Sequence, residues 1–207
     1  MRKSNFQLLI AAVAFSTLLG LTGCETIKIA NHSHSFKFDP PDKFPKNKSA
    51  VKVKISTGEQ RLYVVEGDDV LIATPVTVGM PSSPTPQGDF TIYSKQSQRR
   101  RVSEPDAGYP MPYWMEFKPS YGIHWGFVKP QPATHGCVRM PLIAAKEVFA
   151  IVPTGTPVNI AKSQPWDATI GKTLPVLDDG PLPNPPKSYL HSPQVFIDAA
   201  NGKMWHF

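Results

Sequence analysis

The run Thr134-His135-Gly136-Cys137 is the part of the chain whose residue types point most directly to chemistry. A thiol attacks a carbonyl carbon only as the thiolate, and a free cysteine with a pKa of about 8.5 is mostly protonated at neutral pH. An imidazole beside the thiol can take its proton and later return it to an amine. The run therefore predicts a cysteine nucleophile that works with a histidine.

Two histidines are candidates for this base, His124 and His135. His135 would share a side with Cys137 in an extended segment, but it need not do so in a tight turn that contains glycine. His124 lies in the apolar run Tyr121–Gly126, where a strand can hold an imidazole rigidly. We therefore expect His124 to be the general base.

Acyl transfer also needs donors to the oxyanion, and the amides of Gly136 and Cys137 are candidates because glycine lets the backbone turn freely. Arg139 either binds a substrate carboxylate as a bidentate partner or orders the loop through backbone carbonyls. A metal site made by His124, His135 and Cys137 is another possible use of these residues. Their spacing is unlike the usual zinc patterns, so we expect neither a metal nor another cofactor.

The other cysteine, Cys24, ends a segment with the features of an export signal. Basic residues are followed by an apolar run over 6–21 that is too short and too interrupted for a comfortable membrane span of about 20 residues. The ending Leu21-Thr22-Gly23-Cys24 resembles the lipobox of bacterial lipoproteins. We expect residues 1–23 to be a lipoprotein signal peptide and Cys24 to carry lipid, which leaves Cys137 without a disulfide partner.

An ordinary cleaved signal peptide is the alternative, and with either one the protein is exported. A lipid at Cys24 would anchor it to a membrane, facing the periplasm or cell wall. Glu25 favours the outer membrane if the organism is Gram-negative. The net charge of +6 falls to about +4 if Arg2 and Lys3 leave with the signal segment (6 − 2), and this modest excess suits an anionic envelope surface. No basic helix or RNA-binding signature suggests nucleic acid.

Composition and periodicity divide the rest of the chain. Residues 24–49 are polar and lack periodicity, which predicts a flexible tether in which His32 and His34 are solvated. Residues 50–161 form the predicted domain, and 162–207 a Pro-rich extension that packs along it because it contains apolar residues. The basic run Arg99–Arg101 is predicted to be a solvated loop.

The 23 prolines argue against an all-helical fold. Period-two alternation and turn residues predict strands at 51–55, 62–65, 70–78, 90–93, 113–117, 121–125 and 157–160, with a hairpin between the second and third. Only Leu142–Ile151 has a helical period, with Leu142, Ala145, Val148 and Phe149 on one face. The predicted fold is therefore mainly β with one clear helix after the cysteine loop.

Four motifs in order resemble the L,D-transpeptidase family, also called the YkuD catalytic domain. They are Thr74–Gly79, Thr85–Ile92, Met111–Met115, and the pair Ile123–Gly126 with Thr134–Met140. The resemblance covers about residues 50–161 and implies a β-sandwich-like catalytic domain. Trp125 departs from the smaller residue often found at its position, which bears on the shape of the acceptor side.

The resemblance implies that Cys137 is the nucleophile and His124 the proton donor and acceptor. It also implies that the Trp125 carbonyl orients the imidazole and that His135 and Gly136 build the oxyanion loop, with Arg139 beside it. The implied substrates are peptidoglycan stem peptides, whose terminal D-alanine is expelled as a thioester forms. The acceptor is an amine of a neighbouring stem or of an envelope lipoprotein. Water as acceptor, which makes the enzyme a carboxypeptidase, and a non-catalytic peptidoglycan-binding lipoprotein are the alternatives.

Overall fold

The structure is a computed structural model that describes residues 34–102, 108–180 and 185–203. The signal segment 1–23, Cys24 and His32 lie outside the described residues, so the expectations for them stay predictions. No helix within the described ranges is long and apolar enough to cross a membrane.

Two β-sheets form the framework of the described structure. In chain order the strands are β1 (Val51–Ser56), β2 (Arg61–Glu66), β3 (Asp69–Pro75), β4 (Gly88–Thr91), β5 (Ser94–Arg100), β6 (Pro110–Lys118), β7 (Tyr121–Trp125), β8 (Val138–Met140) and β9 (Pro157–Ala161). The helices are α1 (Leu142–Ile151), α2 (Ile170–Thr173), α3 (Lys187–His191) and α4 (Gln194–Ala200). The mainly β prediction is confirmed, and the predicted helix α1 follows the cysteine loop after the short strand β8.

The larger sheet has the order β3-β2-β1-β9-β4, in which β1 and β9 are parallel and the other pairs antiparallel. Strand β1 alternates as its sequence predicts, because Val51, Val53 and Ile55 are buried while Lys52 is exposed. The predicted hairpin is confirmed as the β2–β3 pair, whose register runs from Arg61 opposite Pro75 to Glu66 opposite Asp69.

The smaller sheet has the order β5-β6-β7-β8, with β7 and β8 parallel. The strand predicted at 90–93 is wrong in its bounds, since β4 ends at Thr91 in one sheet and β5 begins at Ser94 in the other. The loop predicted for Arg99–Arg101 is also wrong, because Arg99 and Arg100 belong to β5. This strand is entirely polar, so it carries no hydrophobic alternation by which its sequence could have been recognised.

One apolar cluster takes side chains from both sheets, from α1 and from α4. The helical face predicted for α1 is buried at Leu142, Ala145 and Val148, and Phe149 packs against the cluster. Hydrophobic burial of this kind contributes about 25 cal/mol for each Å² of apolar surface removed from water. The cluster therefore holds the two sheets together and fixes the strands that carry the motif residues in one body.

The C-terminal extension packs along the domain in two places. Trp166 and Leu174 cover Tyr63 and Val65 on the outer face of the larger sheet. Farther along, Val195 and Phe196 are buried in the main cluster, although Ile197 is 52% exposed. Some of the apolar side chains of the extension thus find partners on two separate surfaces, as their hydrophobicity favours.

Arg100 attaches the extension to β5. Its guanidinium donates to the carbonyls of Gly108, Leu190, His191 and Ser192, and lies 4.8 Å from the centre of the Phe196 ring. Hydrogen bonds from a charged donor are roughly twice as strong as neutral ones. Arg100, which belongs to the predicted basic loop, therefore has a structural role: it holds the extension against β5.

The segment at 34–50 also contacts the domain. His34 Nδ1 lies 3.1 Å from the carbonyl oxygen of Asp178, and the His34 ring stacks on Phe36 at 5.5 Å between centroids. Ser35 is buried. His34 is therefore not the solvated linker residue that composition predicts. Residues 24–33 of the predicted tether 24–49 lie outside the described residues.

Residues 126–137 connect the parallel strands β7 and β8, and three side chains fix this active-site loop. Gln60 Nε2 donates to the Pro130 carbonyl at 2.6 Å, and Thr77 Oγ1 accepts from the Lys129 amide at 2.6 Å. Buried Asp179 accepts from the Val128 amide at 2.8 Å. The loop is therefore attached both to the larger sheet and to the extension.

Asp179 is the point at which three segments meet, because it also accepts from the amide and hydroxyl of Ser35. Asp179→Ala would leave the buried donors of Ser35 and Val128 without partners, so we expect a loss of about 2–3 kcal/mol in the free energy of unfolding. Thermal unfolding should show a Tm lower by roughly 4–12 °C. Asp68→Ala is the control, because Asp68 is exposed in the turn between β2 and β3. Equal Tm values for the two variants would contradict this role of Asp179.

Candidate active site

The register of β7 against β8 brings the two main candidate residues into one cavity. Because His124 pairs with Arg139 across the parallel strands, Cys137 lies just ahead of β8, beside β7. His124 and Cys137 both line a cavity of about 410 Å³. The Cys137 Sγ lies 3.8 Å from the carbonyl oxygen of Ser120. Within the described residues, Cys137 is a free cysteine.

The His124 ring is held by one hydrogen bond and one aromatic contact. Its Nδ1 contacts the Trp125 carbonyl oxygen, and its ring centre lies 5.4 Å from that of buried Trp114. A carbonyl oxygen can only accept, so Nδ1 carries the proton in this contact. Nε2 is then the unprotonated nitrogen, which is the form that a general base requires.

Burial keeps both members of the pair uncharged at rest. It lowers the pKa of His124 to about 3, with help from the positive charge of Arg139 and against the hydrogen bond to Trp125. Burial also raises the pKa of Cys137, although the Gly122 backbone and the Arg139 charge oppose this. Both pKa shifts favour a thiol with a neutral imidazole over a thiolate–imidazolium pair.

The Thr134 hydroxyl organises the turn before the cysteine. Thr134 Oγ1 accepts from the Gly136 amide at 3.0 Å and donates to the Cys137 carbonyl at 2.6 Å. The Gly136 amide is therefore already engaged, which differs from the expectation that both amides of this turn point at an oxyanion. Of the two amides, that of Cys137 is the one for which no hydrogen bond is found among the described residues.

Gly136 is required by both backbone and space. Its φ is +111°, and a Cβ there would lie 2.4 Å from Cε1 of the Tyr121 ring. Side chains with a Cβ rarely adopt this φ, and real contacts are never so short. Glycine at this position therefore lets the turn pass beneath Tyr121 and present Cys137 to the cavity.

The other predicted site residues take different positions. Arg139 lines the cavity from β8, and its side-chain carbons lie against Gly126, where a Cβ would be 2.7 Å from Cδ. His135 is exposed at the cavity rim. The Trp125 indole is buried in the core and stacks on Tyr109 at 6.2 Å, so its size is accommodated away from the thiol. Across the described ranges, no group of three or more His, Cys, Asp or Glu side chains could hold a metal.

Comparison with known proteins agrees with this site. The profile of the L,D-transpeptidase catalytic domain, YkuD, matches residues 50–160. The chain belongs to the L,D-transpeptidase family. It is 32% identical over 126 residues to YkuD of Bacillus licheniformis, a match that covers 58% of this chain and 68% of that protein. It is also 32% identical over 113 residues to YkuD of Bacillus subtilis, covering 52% and 64%. Both relatives carry L,D-transpeptidase in their names.

The fold is likewise that of a solved member of the family. The crystal structure of an L,D-transpeptidase from Stackebrandtia nassauensis aligns with a TM-score of 0.51 and 23% identity, covering 60% of each chain. This likeness concerns the fold, and it agrees with the two-sheet architecture described above.

The residues that line the cavity include several that were not predicted site residues, and two of these, Trp114 and Arg99, bear on its chemistry. Trp114 lines the cavity and contacts His124, and Arg99 reaches the same cavity from β5. The motif at Met111–Met115 could have indicated Trp114, because it lies in a segment that the family resemblance includes. No signal in the sequence distinguishes Arg99 from an exposed basic residue.

The Gly136 turn can be tested with a matched glycine. Gly136→Ala introduces strain and a clash with Tyr121, and a misplaced nucleophile can cost about 100-fold in rate. We expect that loss in the acylation of Cys137 by a p-nitrophenyl ester, measured as nitrophenolate release. Gly155→Ala is the control, since Gly155 has a φ of +92° but its Cβ would meet nothing within 4 Å. Equal acylation rates in both variants would show that the turn geometry does not matter.

The uncharged resting pair predicts how the reactivity of Cys137 depends on pH. With the pKa of His124 at about 3 and that of Cys137 raised, thiolate forms only as the pH approaches the thiol pKa. The rate of Cys137 alkylation by iodoacetamide, followed by peptide mass spectrometry, should rise about tenfold per pH unit between pH 6 and 8.

His124→Gln provides the control for this profile. A neutral imidazole contributes no charge that would stabilise a thiolate, so the midpoint of the profile should move by less than about one pH unit in the variant. A plateau between pH 5 and 7 in the wild type that is lost in His124→Gln would reveal a thiolate–imidazolium pair instead.

Proposed function

We propose that this protein is a cysteine L,D-transpeptidase that acts on tetrapeptide stems of peptidoglycan. The observation that carries the proposal is the pairing of Cys137 with His124 in one cavity, with His124 Nε2 left as a proton acceptor by the Trp125 carbonyl. Membership of the family supplies the reaction class.

In the first half of the reaction, Cys137 Sγ attacks the carbonyl of the L,D-peptide bond while His124 Nε2 takes the thiol proton. The amide of Cys137 donates to the developing oxyanion. The C–N bond to the terminal D-alanine then breaks, and His124 returns the proton to the leaving amine. The stem remains bound to Sγ as a thioester.

In the second half, an acceptor amine loses a proton to His124 and attacks the thioester carbonyl. The C–S bond then breaks, and His124 returns the proton to Cys137 Sγ, which restores the thiol. An amine of a neighbouring stem gives a crosslink, and an amine of an envelope lipoprotein gives an anchored protein. Water as acceptor gives a shortened stem, which is the alternative hydrolase. A lipid on Cys24 would keep the catalytic domain beside its insoluble substrate, in an exported and membrane-anchored protein.

Incubation with muropeptides that carry tetrapeptide stems tests the proposal, with products identified by mass spectrometry. We expect dimers that lack one D-alanine, whereas tripeptides alone would indicate hydrolysis. Cys137→Ala should abolish both products, and a carbapenem should add to the wild type but not to this variant. His124→Gln should lose about 100-fold or more, and His135→Gln much less, because only a general base contributes that much. Full activity of Cys137→Ala would exclude the mechanism.

A further inference from the structure

Arg99 reaches the active-site cavity from the opposite outer strand to Arg139. Its guanidinium carbon lies 4.7 Å from the centre of the Trp114 ring, and Trp114 in turn contacts His124. Trp114 is only 2% exposed, and a Cβ at Gly122 would lie 2.6 Å from its ring. The indole is therefore a fixed surface, and the planar guanidinium that stacks on it is oriented before any ligand binds.

The hydrogen-bonding capacity of Arg99 is largely unused. Its Nε is buried and has no hydrogen-bond partner, and its remaining side-chain bond, to Gln96 Oε1, is long at 3.5 Å. The carboxylate of Glu116 accepts from the Trp114 indole and the Ser120 amide. Within the described parts of the chain, Arg99 forms no ion pair with an acid. A guanidinium with free donors beside a cavity suits an anionic ligand.

Arg99 and Arg139 are placed to bind different anionic groups. They lie on β5 and β8, the two outer strands of the smaller sheet, whose backbones are separated by three strand spacings or about 14 Å. Arg139 is the closer in sequence to Cys137, and of the two its charge lowers the pKa of that thiol more. Arg139 therefore suits the carboxylate next to the scissile bond, and Arg99 suits one farther along an extended peptide.

We propose that Arg99 binds a second free carboxylate of the peptide stem, away from the scissile bond, and so selects stems in which this group is not amidated. The inference rests on the proposed function, which it deepens by naming the form of the substrate. An amide in place of the carboxylate removes the charge and one acceptor, and Arg99 has no acceptor with which to use the new donors.

The test measures kcat/KM for two stems that both keep the terminal carboxylate and differ only in whether the other carboxylates are free or amidated. We expect amidation to lower kcat/KM of the wild type by about 10- to 100-fold, as loss of a charged hydrogen-bond pair does. In Arg99→Gln the same change should cost less than about threefold, and Arg99→Lys should fall between. Lys52→Gln removes the charge of an exposed side chain on β1 and should respond as the wild type does.

The outcomes separate this inference from the proposed function. If the wild type turns the stems over and amidation changes kcat/KM equally in the wild type and in Arg99→Gln, the role of Arg99 is overturned and the proposed function stands. If the wild type processes neither stem, the proposed function fails, and calorimetric binding of both stems to Cys137→Ala decides the role of Arg99. The role of Arg99 is supported if Cys137→Ala binds the free stem more tightly than the amidated stem and Cys137→Ala/Arg99→Gln loses this preference. Equal binding of the two stems by Cys137→Ala overturns the role. An alkylation rate of Cys137 within about threefold of wild type in Arg99→Gln excludes general damage to the site.

Discussion

The parallel pairing of β7 with β8 is the contact on which the active site depends. It sets His124 opposite Arg139, and so brings the residue just before β8, Cys137, to the histidine strand. Parallel neighbours need a long connection, because the chain must return to the starting end of the sheet. Here that connection is the loop 126–137, which has no regular helix and is attached by Gln60, Thr77 and Asp179. The position of the site therefore depends on side chains that lie outside the cavity.

Burial has two opposing effects on the His124–Cys137 pair. It fixes the imidazole against Trp114 and beneath the Trp125 carbonyl, which favours rapid proton transfer. The same low-dielectric surroundings oppose charge on either residue, as their pKa shifts indicate. A thiol held neutral is less exposed to oxidation and adventitious reaction, since the thiolate is the reactive form. In the mechanism proposed above, the thiol is therefore activated only when a substrate carbonyl lies beside it.

The catalytic domain incorporates chain that the family profile does not cover. The profile ends at 160, yet Asp179 holds the active-site loop and α4 is buried in the main core. Ser35, before the profile begins, binds the same Asp179 carboxylate. Arg100 of β5 clamps the end of α3 through backbone carbonyls. These contacts give the extension a structural task in supporting the cavity, because they join it to the loop and to the strand that border the site.

The sequence by itself determined those elements whose pattern of buried and exposed residues lies within one short segment. Alternation in β1, turn residues between β2 and β3, and the helical face of α1 report burial directly, so these elements could be predicted. The identities and order of His124, Gly136 and Cys137 likewise indicated thiol chemistry without coordinates. Tertiary structure decided what depends on distant partners. Strand β5 is polar and exists because β6 pairs with it, the Gly136 amide is taken by Thr134, and Arg99 becomes a cavity residue by stacking on Trp114. Such roles depend on which surfaces come into contact in the folded chain. The residue pattern of one segment does not indicate which distant segment it will contact.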